Sequence, residues 1–148
     1  PEAVARAAEL ARRAEALRVV PLRVSGAFHS PLMEPAREGL AQVLAETPIQ
    51  RPRVPLLSNV TGEPTQEPEE IRQNLAKQLT HPVRWAQCCR RLLDLGAQAL
   101  YEVGPGKVLK GLMRRIDRSV PVVTVGTAEE VEAVRSADDN NGEVEKHE

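Results

Sequence analysis

Four short apolar runs, separated by segments of helical periodicity, set the limits on how this chain can fold. They are RVVPLRV (18–24), RVPLLSNV (53–60), AQALYEV (97–103) and SVPVVTV (119–125). The first reads as a strand rather than a helix because it is short and contains Pro21. Strands alternating with helical stretches of about 11–17 residues imply an α/β fold with a largely parallel sheet. In such sheets, sites form beyond the carboxyl ends of the strands. Three loops qualify: the one holding His29, the one after Asn59, and Gly104-Pro105-Gly106.

The helical stretches have recognisable starts and stops. Residues 2–17 place Val4, Ala7, Ala8, Ala11 and Ala14 on one face. A second helix is expected over 31–47, with Met33, Leu40, Val43 and Leu44 as its stripe and Pro48 as its stop. Pro35 fits only in its first turn, where a missing N–H has no helical partner anyway. The clearest helix is 67–79, with Pro68 and several glutamates at the end where the helix dipole favours negative charge. Residues 83–96 form another, capped by Gly96, and 107–117 a fifth. TGEP after the second strand reads as a turn, and the polar residues beyond about 136 are expected to fray.

Composition excludes several functions. The formal net charge is −1 with both signs interspersed, which offers no clustered basic face for nucleic acid. No run of about 18 apolar residues exists to span a membrane. The start, PEAVARAAEL, has neither the basic nor the apolar region of a signal peptide, and without an initiator Met the chain is expected to begin in mid-protein. The two cysteines, Cys88 and Cys89, are neighbours that cannot easily bridge, and no third exists to pair with them. A reducing cytoplasm is the expected compartment. Only Phe28, Trp85 and Tyr101 are aromatic, so the core must come from Leu, Val, Ile and Ala.

His29 is the one histidine in a site loop, and imidazole titrates near neutrality, as a general base must. A lone histidine is more often a surface or capping residue, and no nucleophile is apparent beside this one. None of Ser25, Ser30, Ser58, Ser119 or Ser136 lies in a G-x-S-x-G turn. The cysteines sit in an amphipathic helix, where packing is the expected role. GPGK is not a phosphate loop, because that motif needs four residues between its glycines and Ser or Thr after the lysine. Three scattered histidines and an adjacent cysteine pair match no metal-ligand spacing, so neither metal nor cofactor is expected. His81, before Pro82, reads as a helix-ending residue, and His147 lies in the tail.

Taken together, VSGAFHSPLMEPA, VPLLSNVTGE, IRQNLAKQLTHPVRW and LYEVGPGKVLKGL resemble the C-terminal half of malonyl-CoA:acyl carrier protein transacylases. These are the loading enzymes of bacterial fatty acid synthesis, related to polyketide acyltransferases. The blocks occur in the family's order over roughly residues 1–125. The resemblance implies residues 1–24 as the end of a ferredoxin-like small subdomain. It implies 25–136 as the C-terminal part of an α/β-hydrolase-like large subdomain, with 137–148 as a polar tail. It makes His29 the catalytic histidine of a serine–histidine dyad and Gln78 the residue whose main-chain carbonyl orients it. Asn59 would lie near the same pocket. Phe28, in Ala27-Phe28-His29, resembles the malonyl-selective pattern, in which a bulky ring occupies the space a 2-methyl group would need.

The family's Gly-His-Ser-Leu-Gly elbow, its carboxylate-binding arginine and its oxyanion-hole segment are absent from these 148 residues. The implied partners are malonyl-CoA, acyl carrier protein and the missing N-terminal half. The isolated chain is expected to be inactive. The alternative is a non-catalytic remnant that binds a carrier protein or another chain. For that reading Arg84, Arg90, Arg91, Lys107, Lys110, Arg114 and Arg115 would form a basic docking face; their plainer reading is solvated helix surface.

Overall fold

A computed structural model describes residues 2–22 and 24–142. The elements in chain order are α1 (Glu2–Arg13), a 3-10 turn (Pro31–Met33), α2 (Glu34–Glu46), β1 (Leu56–Leu57) and β2 (Pro64–Thr65). They continue with α3 (Pro68–Gln78), α4 (Trp85–Asp94), β3 (Leu100–Val103), α5 (Val108–Ile116), β4 (Val122–Val125) and α6 (Ala128–Gly142). The class is α/β.

The expected largely parallel sheet is not what the described residues form. β3 and β4 pair in parallel, with Leu100 opposite Val122 and Val103 opposite Val125. The segment expected as a lone turn contains β2, which pairs antiparallel with β1 as a separate two-stranded sheet. Of residues 18–24, expected as the first strand, 18–22 and Val24 carry no regular structure. A strand exists only through a partner's N–H and C=O groups, and none among the described residues pairs with this run. The tail expected to fray from 137 is helical as far as Gly142; residues 143–148, with His147, lie outside the described residues.

β3, α5 and β4 make one parallel crossover, and side chains alternate across β3. Leu100 and Glu102 face inward, while Tyr101 and Val103 are exposed. Glu102 is buried, and its carboxylate accepts the N–H groups of Leu109 (2.8 Å) and Lys110 (2.9 Å). It thereby caps the first turn of α5, where the dipole is positive. The end of α5 that follows GPGK is thus satisfied from within.

Gly126 permits a close approach behind it. A Cβ there would lie 2.5 Å from the Gly104 carbonyl oxygen, and the Gly104 N–H donates to Val125 O. α4 closes as its glycine predicts. Gly96 has φ +93°, its N–H reaches Leu93 O, and the Ala97 N–H reaches Leu92 O.

Among the described residues the buried apolar core is Leu44 of α2, Ile71 of α3, Cys88 and Cys89 of α4, and Met113 of α5. Much of the remaining aliphatic surface is open. Leu22 is 79% and Val103 81% exposed. Among the described residues no helix is long and apolar enough to cross a membrane.

Candidate active site

The loop that ends in His29 is built around that residue. A Cβ at Gly26 would come within 3.2 Å of Phe28 Cε2, so glycine leaves room for the ring, which is still 54% exposed. The Ser30 hydroxyl donates to Ala27 O at 2.6 Å and closes the turn. His29 itself has φ +61°, in the left-handed region that costs a side-chain-bearing residue free energy unless its surroundings hold it.

The C-terminal end of α3 provides that hold. The last carbonyls of a helix have no partner within it. Two of them are taken up by His29. Its backbone N–H donates to Leu79 O at 3.0 Å, and its ring Nδ1 lies 2.8 Å from Gln78 O. A carbonyl can only accept, so Nδ1 carries the hydrogen and the neutral ring keeps its lone pair at Nε2. The Gln78 side chain donates from Nε2 to His81 O at 3.1 Å, and the same Nε2 lies 3.4 Å from His29 Nδ1. His81 turns back onto the same helix end, with Nδ1 2.8 Å from Lys77 O, as a helix-ending residue does.

Asn59 is near Gln78 in the fold. Both line a cavity of about 170 Å3 that also includes Leu57, Ser58, Ile71 and Asn74. α4 grips the backbone here. The Arg84 N–H donates to Asn59 O at 2.8 Å, its Nε donates to Val60 O at 2.8 Å, and Cys88 Sγ lies 3.5 Å from both Ser58 O and Asn59 Oδ1. Burial pushes the thiols of Cys88 and Cys89 up from their ordinary range, so both stay protonated at neutral pH. Nothing in the local sequence around Cys88 points to Asn59, 29 residues away, and the contact escapes sequence reasoning.

The His29 ring makes hydrogen-bond contact only with Gln78 among the described residues, and no serine hydroxyl reaches it. Ser58 Oγ accepts from the Val60 N–H. Two residues of the supposed basic docking face are occupied internally: Arg84 as above, and Arg91, whose Nε lies 3.3 Å from Glu63. No group of three His, Cys, Asp or Glu among the described residues is placed to hold a metal ion.

These features define an α/β protein in which a helix C-terminus presents a loop histidine with Nε2 free to accept a proton. Comparison with known proteins narrows the class. The chain is homologous to malonyl CoA-acyl carrier protein transacylases; that of Bacillus subtilis is 39% identical over 136 residues, which is 91% of this chain and 43% of the relative. An acyl-carrier-protein S-malonyltransferase from Bartonella henselae superposes with a TM-score of 0.85 at 42% identity, covering 92% of this chain and 43% of that one. A malonyl-transacylase solved in complex with its type II PKS acyl-carrier protein matches with a TM-score of 0.82 at 38% identity, over 91% of this chain and 44% of that one. The chain thus spans less than half the length of these relatives. No protein-family model matches it.

Proposed function

We propose that this chain is the C-terminal part of a malonyl-CoA:acyl carrier protein transacylase and contributes the histidine of its serine–histidine dyad. The observation that carries the reading is the 2.8 Å contact between His29 Nδ1 and Gln78 O, which leaves Nε2 as a proton acceptor without any carboxylate. In the proposed reaction a serine from the complementary part of the protein attacks the malonyl thioester. His29 Nε2 takes the serine proton and delivers it to the departing CoA thiol, leaving a malonyl ester on the serine. The pantetheine thiol of the carrier protein then attacks that ester. His29 takes the thiol proton and returns it to the serine oxygen. Phe28 limits the acyl group, and Asn59 lines the same pocket. Residues 1–24 would close a ferredoxin-like small subdomain and 25–136 the α/β-hydrolase-like large one, in a cytoplasmic enzyme.

The test is a full-length chimera in which this chain replaces the matching part of the Bacillus subtilis transacylase. It should transfer malonyl groups to acyl carrier protein. His29→Ala should lower the rate by at least about 100-fold, as loss of a general base does. Gln78→Ala, which keeps the main-chain carbonyl, should cost far less. Near-normal turnover of a folded His29→Ala chimera would remove His29 from the mechanism.

A further inference from the structure

Asn74 lies on α3 one turn before Gln78 and lines the same cavity. It is only 8% exposed, and its side chain makes no hydrogen bond to any described residue; Nδ2 is fully buried and unpartnered. Buried donors in folded proteins are almost always paired, because an orphaned one forfeits its hydration. The walls around it are largely aliphatic, formed by Leu56, Leu57, Ile71 and Leu75, and no charged side chain lines the cavity. Leu56 and Leu75 remain half exposed there. Turning the amide about its soft terminal torsion exchanges Nδ2 with Oδ1 and brings the N–H to the cavity, where an occupant must then bring an uncharged acceptor flanked by apolar groups. An ionised carboxylate or phosphate would meet no cation. A polypeptide backbone carbonyl between aliphatic side chains has the required chemistry.

The chain spans 43% of a relative onto whose structure it superposes closely, so the rest of such a protein must pack against surface that is open here. We propose that Asn74 is the polar anchor of that packing face. Its Nδ2, turned into the cavity about the soft terminal torsion, donates to a main-chain carbonyl of the complementary segment, whose aliphatic side chains fill the space between Leu56 and Leu75. The inference rests on the transacylase reading above. It adds the atom that joins the two parts, beside the helix end that holds His29.

The experiment compares Asn74→Leu in two settings by thermal melting. In the isolated 148-residue chain the substitution removes an orphaned donor and should raise Tm. In the chimera it removes a paired donor and strands the carbonyl, and should lower Tm by about 2–8 °C. Asn74→Asp, which sets acceptor against acceptor, should lower the chimera's Tm further. In the unmutated chimera the Asn74 side-chain NH2 protons should be protected from solvent exchange by NMR. A Tm raised or unchanged by Asn74→Leu in the chimera, a Tm lowered in both settings, or unprotected NH2 protons would each overturn the proposal. Failure of the transacylase reading is distinct, because it appears as absent malonyl transfer in a chimera that still melts cooperatively.

Discussion

His29 adopts a backbone conformation that a side-chain-bearing residue rarely takes, and it does so between two contacts to one helix end. The strain and the anchoring belong together, since the left-handed turn is what lets both the N–H and the ring face the terminal carbonyls of α3. Its neighbour Phe28 is half exposed and packs over Gly26 rather than being locked in a core. Phe28→Ser in the chimera should raise the methylmalonyl-to-malonyl ratio of kcat/KM. A difference of one methyl group is worth about 1–3 kcal/mol, or roughly 10–200-fold, so the shift should be partial. An unchanged ratio would place selectivity elsewhere. The cysteines allow an independent check. Both are buried and held protonated, so neither should react with a thiol reagent until the chain unfolds. Rapid labelling of two thiols in the native protein would contradict this packing.

At the scale of elements, helix ends do most of the positioning. The C-terminus of α3 holds His29, the first turns of α4 hold the loop at Asn59, and the N-terminus of α5 is held by Glu102. Because Glu102 is buried and accepts two N–H groups, Glu102→Ala should lower unfolding free energy by about 2–3 kcal/mol in urea denaturation. Glu102→Gln, which keeps one acceptor oxygen, should cost about 1 kcal/mol. Equal stability of all three would mean that the cap does not hold in solution. α6 is capped in a similar way. Thr127 Oγ1 accepts the Glu130 N–H, and the Glu130 carboxylate reaches back to the Gly126 N–H, which holds its pKa below the ordinary carboxylate value. The Thr-x-x-Glu spacing at 127–130 is the helix-start signal in the sequence that marks α6.

As a whole molecule the chain is under-covered. Its buried apolar core among the described residues is five side chains, while Leu22, Val24, Leu32, Val54 and Val103 stand largely in solvent. Apolar exposure on this scale points to an interaction face or a tendency to associate. The isolated chain should bind a hydrophobic dye and self-associate, and both should diminish in the chimera. Incubated alone with labelled malonyl-CoA it should acquire no covalent label, because it carries no elbow serine. Stable label on Ser25, Ser30 or a cysteine, located by mass spectrometry, would overturn the assignment of the nucleophile to the complementary part.

What the sequence determined by itself was local. Apolar periodicity placed five of the helices within a few residues of where they stand. Pro68 with its glutamates started α3, and Gly96 ended α4, because caps and breakers act on the backbone beside them. The same local reading put His29 in a loop. The tertiary structure decided what depends on distant partners. Residues 18–22 look like a strand but have no pairing partner among the described residues, whereas Pro64-Thr65 looks like a turn and becomes a strand because β1 lies opposite. The contact between His29 and Gln78 O spans 49 residues and uses a backbone atom. No side-chain pattern announces which carbonyl a fold leaves free, and only the family resemblance pointed to this one. Asn74 is the sharpest case. In sequence it is an ordinary polar residue of a helix, and only its burial without a partner gives it a role.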